Sequence, residues 1–241
     1  MTLLLFLSAL LLSGEGTCSV SLPEQKTACQ GDYHFQWNSF TGSMKEWEKS
    51  GDTLKARSLS WKFQDNVDGK SNEATISLTS HTVEFSGSVS LSSPMGSLST
   101  DFLLFSPEGV ISTKNPVQWS YGEITIDASG VDVDLSEELA TFYPPIHITF
   151  SDLTISSEQL LFHKGTLSLT QSSLSHSSFQ VHCPEFRWEA EGKKGNCPSP
   201  SEMKIMKNDA FADKVELDFS QPPGKVILKG NVRVIISEKT P

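Results

Sequence analysis

The 241 residues carry 29 acidic against 19 basic side chains, a net charge of −10, and the charges are scattered rather than gathered into a tail. A surface of that sign repels phosphates, which excludes non-specific nucleic-acid binding and leaves no nucleic-acid partner to expect. Four cysteines, an even number, fit an oxidising compartment in which thiols pair.

At the start of the chain, Leu3 to Leu12 form an apolar run broken by Ser8 and closed by Ser13, Gly14, Glu15 and Gly16. Crossing a bilayer takes about 20 apolar residues, whereas the core of a signal peptide needs about 7 to 15. Residues 1–16 therefore read as a signal peptide cut after Gly16 or, since no Lys or Arg precedes the run, as a short retained anchor. Cys18 follows Gly16-Thr17, but Glu15 stands where an acylation signal needs an aliphatic residue.

Three pairings of Cys18, Cys29, Cys183 and Cys197 are open, and the sequential one is simplest. Cys183 and Cys197 bracket a polar stretch, Glu189 to Asn196, with the look of a hairpin tip that a disulfide would staple. A zinc site would have to recruit His182, yet no CxxC or HxxxH spacing supports one, so neither a metal nor a cofactor is expected.

Residues 17–56 show no sustained alternation, and Ser43-Met44-Lys45-Glu46 matches a capping box, which permits one short helix ending at Gly51. From residue 57 to 241 the pattern has period two, the mark of strands separated by turns. Leu59, Trp61 and Phe63 open it; Ile76 and Leu78, then Val83, Phe85, Val89 and Leu91, then Leu98, Phe102 and Leu104 continue it. Ile124 and Ile126 precede a phase change at Gly130, read as a bulge, before Val131, Val133 and Leu135. Ile146, Ile148 and Phe150, then Leu161, Leu167 and Leu169, then Phe179 and Val181 follow. Val215, Leu217, Phe219 and Val226 through Ile236 end the series. With no long helical stretch between strands, the connections are antiparallel and the fold class is all-β, one region or two parts at 57–150 and 151–241.

Three strands share a template with glycine in mid-strand, centred on Gly87, Gly165 and Gly230. A missing side chain on an inward face suggests a bend or a close approach. The copies are unequally spaced, against a solenoid.

Catalytic signatures are missing: no Gly-x-Ser-x-Gly, no phosphate-binding glycine loop, no His-Glu-x-x-His. The chain is therefore not expected to be an enzyme. Asp132 and Asp134, with Glu137 and Glu138, could form a calcium or acid–base cluster, but the alternation of Val131, Val133 and Leu135 sets both aspartates on the solvent face of a strand. The five tryptophans could offer a sugar platform, although packing is the commoner use. On the last strand Lys225, Lys229 and Arg233 alternate with Val226, Leu228, Val232 and Val234. Such cations either protect an edge or meet an anionic ligand or partner.

Two stretches resemble a known family. Val83 to Leu91, Gly96 to Phe105, Ile111 to Val117 and Ile126 to Asp134 resemble the periplasmic lipopolysaccharide-transport proteins of the LptC type. Ala212 to Asp218 and Gly224 to Val234 are similar to the related LptA/OstA type. The resemblance implies an open, twisted antiparallel β-jellyroll, an elongated β-sandwich whose apolar interior takes the acyl chains of lipid A. Val83, Phe85, Val89, Leu91, Phe102, Leu104, Ile124, Ile126, Phe150, Val226 and Leu228 would line it. It further implies periplasmic location, attachment to or peripheral contact with the inner-membrane machinery, and edge-strand pairing with other jellyrolls of the kind on the way to the outer membrane. Against the LptC type, Leu3 to Leu12 is short for an anchor and residues 137–208 lack a counterpart. The alternative is an exported β-sandwich surface or adhesion module that binds glycan or protein.

Overall fold

The computed structural model describes residues 5–7, 10–21, 25–37, 39–64, 66–106, 108–206, 208–221 and 224–235. Part of the apolar run Leu3 to Leu12 and Ile236 lie outside them. The described chain is all-β and antiparallel, in two compact units, residues 1–116 and 117–241. The division falls at Pro116–Val117 rather than near residue 150.

In the first unit, β1 (Leu5–Leu7), β2 (Leu10–Ser21), β3 (Lys26–Trp37), β4 (Phe40–Ser50), β5 (Thr53–Phe63), β6 (Val67–Ser77), β7 (Thr82–Ser93), β8 (Gly96–Phe105) and β9 (Val110–Thr113) pair each with the next. The described residues of segment 17–56 are thus strands and the turns that join them, and the capping-box tetrad lies within β4, where Met44 is buried against the sheet and Lys45 is exposed. Pairing on both sides of β4 outweighs a local helix signal of one turn. Leu10 and Leu12, inside the predicted leader, are buried in β2, and Gly16 is paired with Gly31 in the same strand.

The long strands are interrupted near their middles. Register shifts occur between Gln30 and Tyr33, Lys70 and Glu73, and Ser86 and Val89, and Ser58, Gly87 and Ser88 have positive φ. An extra residue bends a strand and breaks its ladder locally. The bends lie beside one another across successive strands, so each strand contributes one half to each of two layers. Ring contacts join the layers: Phe40 lies 4.6 Å from Phe105, and Trp61 stacks on Phe85 at 4.6 Å and 14°. Trp61 has glycine as cross-strand neighbour on both sides, Gly42 and Gly69, and a side-chain carbon on Gly69 would run into the indole.

The second unit reaches two layers differently. One sheet runs through β10 (Val117–Tyr121), β11 (Ile124–Ala128), β14 (Ile146–Phe150), β15 (Leu153–Ser157), β17 (Thr166–His176), β18 (Phe179–Glu189), β20 (Ser201–Ile205), β21 (Asn208–Ala212) and β24 (Arg233–Ile235). The other runs through β12 (Gly130–Asp134), β13 (Leu139–Tyr143), β16 (Gln159–His163), β17, β18, β19 (Lys194–Cys197), β22 (Lys214–Asp218) and β23 (Lys225–Lys229). Only β17 and β18 belong to both. Elsewhere the chain crosses between sheets at short breaks: Ser129, the cis Pro144–Pro145, Glu158, residues 198–200, Asp213 and Gly230–Asn231. The phase change at Gly130 is therefore a crossing, not a bulge within one strand.

Neighbouring crossings hold one another. Ser129 Oγ donates to Pro144 O at 2.6 Å, Ser157 Oγ to Thr170 O at 2.7 Å, and the Asn231 backbone N–H to Asp213 Oδ2 at 2.8 Å. The Cys183–Cys197 disulfide sits on the same line and ties the middle of β18 to the end of β19, around a hairpin that turns at residues 190–193. Cys18 and Cys29 are the second pair, directly opposite on β2 and β3. Aromatic side chains meet between the sheets, Trp119 and Phe142 at 5.5 Å and Phe150 and Trp188 at 5.1 Å.

The glycine template separates into three settings. Gly87 (φ +68°) is at a strand bend, Gly165 (φ +77°) is in the tight turn after Lys164, and Gly230 (φ +84°) is at a crossing. What they share is left-handed backbone, which glycine adopts without steric cost.

Candidate functional site

The predicted interior residues divide between the units. Val83, Phe85, Val89 and Leu91 on β7 are buried in the first; Ile124, Ile126 and Phe150 on β11 and β14 are buried in the second. Phe102 and Leu104 are not inward-facing. Leu98 and Thr100 are buried, the alternation then slips at Asp101, and Leu103 and Phe105 take the inward places. Counting by two from Leu98 carried the prediction past the bend onto the wrong face. Leu161, beside the Gly165 turn, is likewise outward at 40% exposure.

The last strand of the prediction is two strands on different sheets. Lys225 and Lys229 are on β23, paired with β22; Arg233 is on β24, paired with β21. The basic face is partly answered from within: Lys229 Nζ lies 2.7 Å from Glu216 Oε2, and Lys214 Nζ 3.0 Å from Glu216 Oε1. These contacts, Lys229 first, hold the Glu216 carboxyl below its ordinary range. Asp218 is lowered chiefly by hydrogen bonds from Ser220, with Lys194 and Lys225 adding attraction.

The inward rows nevertheless run out onto these edges. Leu217 and Val215, fully buried on β22, pair with Val226 and Leu228, which are only half-buried. On the other sheet Ala210 is buried and its partner Val234 is 50% exposed, with Val232 at 46% and Ile235 at 41%. Neither β23 nor β24 has a second strand partner among the described residues.

Two further concavities lie on outer faces, unannounced by the sequence. In the second unit a cavity of about 870 Å³ crosses β14, β15, β17, β18, β20 and β21. Its floor is the backbone of the register row Ile148–Ile155–Leu174–Val181–Met203–Ala210, whose side chains point inward and are buried. Its walls are the residues on either side of that row, such as His147 and Thr149 on β14 and Gln180 and His182 on β18. In the first unit a cavity of about 620 Å³ is built the same way over Cys18, Cys29, Trp47, Ala56 and Ala74. There the walls include charged residues held in ion pairs: Arg57 reaches Glu46 and Glu73, each at 3.4 Å, and Glu48 is met at 2.9 Å by Lys26 from outside the cavity.

Asp132 and Asp134 lie on the outer face of β12, where Tyr143 donates to Asp132 and Asp134 Oδ1 accepts from the N–H groups of Ser136 and Glu137. Among the described residues no three His, Cys, Asp or Glu side chains are grouped to hold a metal ion, and no helix is long and apolar enough to cross a membrane. The two disulfides are those of a protein that matures in an oxidising environment. No family model matches the chain, and no curated protein matches it.

Proposed function

We propose that the chain is a non-enzymatic carrier or bridge of the periplasm, a β-jellyroll that takes the acyl chains of lipopolysaccharide between its layers and joins like jellyrolls by its edge strands. The observation that carries this reading is the end of the second unit, where two inward apolar rows continue onto the edge strands β23 and β24, which no further strand covers among the described residues. An exposed strand edge is a template for a neighbour's strand, and a half-open apolar row favours acyl chains by about 0.8 kcal/mol per methylene buried. Buried donors add to it: the indole N–H groups of Trp47, Trp61, Trp119 and Trp188 have no hydrogen-bond partner among the described residues. Buried donors are ordinarily satisfied, and the ester and amide carbonyls of an acylated guest are acceptors. Export from the cytoplasm and contact with inner-membrane machinery belong to the same proposal.

Site-specific photocrosslinking tests it. A photoreactive residue at Val226, Leu228 or Phe85 is expected to capture lipopolysaccharide, and one at the outward Phe102 is not. Absence of adducts at all three inward positions, or equal capture from Phe102, would overturn the carrier reading.

A further inference from the structure

The outer cavity of the second unit differs from its counterpart in the first by chemistry rather than construction. On four successive strands every wall residue is a hydroxyl, amide or imidazole: His147 and Thr149 on β14, Thr154 and Ser156 on β15. Ser173 and Ser175 continue the walls on β17, Gln180 and His182 on β18. In a chain of net charge −10, this stretch holds no Asp, Glu, Lys or Arg. The side chains spend little on one another: the Ser173 Oγ to His182 Nδ1 contact is 3.4 Å, and Thr154 Oγ1 donates to Ser175 O at 3.3 Å.

We infer that this groove binds an extended, neutral carbohydrate chain lying across the strands. Serine, threonine, glutamine and histidine each offer both a donor and an acceptor, which is what a row of sugar hydroxyls requires, and no fixed charge is needed. The six strands set a length of about 24 Å, five gaps of about 4.8 Å, suited to a few linked sugar rings. At one end Phe211 is 37% exposed and supplies a ring face for a sugar to rest on, beside Asp209 and Lys204.

Other occupants fit less well. A peptide adding to a sheet needs unpaired backbone groups, and the floor strands are paired on both sides. An acyl chain needs an apolar lining, whereas the floor's apolar side chains face inward. Glu202 and Asp209 on the walls disfavour a polyanion. The site is on the outer face and uses none of the interior proposed for acyl chains, so either reading can fail without the other.

The test is a nuclear magnetic resonance titration of the isotopically labelled full chain with cellopentaose, chitopentaose, maltopentaose and laminaripentaose. At least one is expected to shift the amides of β17 and β18 saturably. The double substitution Gln180→Ala with His182→Ala is expected to weaken that binding about tenfold while leaving the thermal midpoint unchanged. Should the double variant fold poorly, Ser173→Glu, a change at an exposed position, makes the same comparison. No saturable shift from any of the four sugars, or shifts that survive these substitutions in folded protein, would overturn the proposal.

Discussion

The two units build facing layers by opposite means. The first keeps strands of 10 to 12 residues whole from β2 to β8 and bends them near their middles, with register shifts in the β3–β4, β6–β7 and β7–β8 ladders; the second cuts most of its chain into strands of 3 to 5 residues that cross from sheet to sheet. A bent strand keeps its two layers covalently continuous, so packing at the bend bears the stress. A crossing chain needs its breaks held, and Ser129, Ser157, Asp213 and the Cys183–Cys197 bridge lie where they do that. The lesson is that the first unit depends on a few large inward rings and the second on local ties.

The sharpest way to break the comparison is Trp61→Ala. Removing the ring that stacks on Phe85 and fills the space over Gly69 is expected to cost about 3–5 kcal/mol, read as a fall in midpoint on denaturant unfolding. A loss below 1 kcal/mol would contradict the dependence on rings. Replacing Cys183 and Cys197 together by serine is expected to cost about 3 kcal/mol, and hydrogen exchange should show the loss at β18 to β20. Exchange that quickens instead around β4 to β7 would contradict the assignment of the bridge to the crossing line.

Gly87→Val addresses the bend. Forcing a β-branched residue into left-handed backbone costs about 1–2 kcal/mol, and the new Cβ would lie 3.2 Å from Asn72 Cβ. Lipopolysaccharide binding, measured beside the unfolding midpoint, is expected to fall further than folding does. Equal losses would leave Gly87 a structural glycine only.

The smallest effect is that of pH on β22 and β23. The folded carboxyls of Glu216 and Asp218 are held below their ordinary values of 4.5 and 3.8. The stabilisation is therefore complete above those values and is lost as pH falls through the lower, folded ones. Exchange protection of the β22–β23 amides should weaken on that acid side and hold steady at neutral pH. A change confined to neutral pH would implicate other groups.

Period-two alternation made the all-β class legible, and the spacing around Glu189 to Asn196 disclosed the stapled hairpin. Alternation is blind to parity, however. The alternation slips by one residue at Asp101, which turns Phe102 and Leu104 outward and brings Leu103 and Phe105 in. A glycine at a turn and one at a bend look alike in sequence, so Gly165 was read as mid-strand although it needs its positive φ for the turn after Lys164. The outer groove was hidden for a related reason. Its walls are pairs of residues two apart on strands far separated in sequence, and only the register from Ile148 through Ala210 brings them into line. The sole local hint was the run of Ser, Thr and His from 147 to 182 with few charges.

Strand β18 is shared by both sheets of the second unit, pairing with β20 through Phe179 to His182 and with β19 through Arg187 to Glu189. With β17, which is shared in the same way, it gives a perturbation of one sheet a covalent path to the other. Local openings on the two sides are therefore expected to be linked through the strands that both sheets have in common.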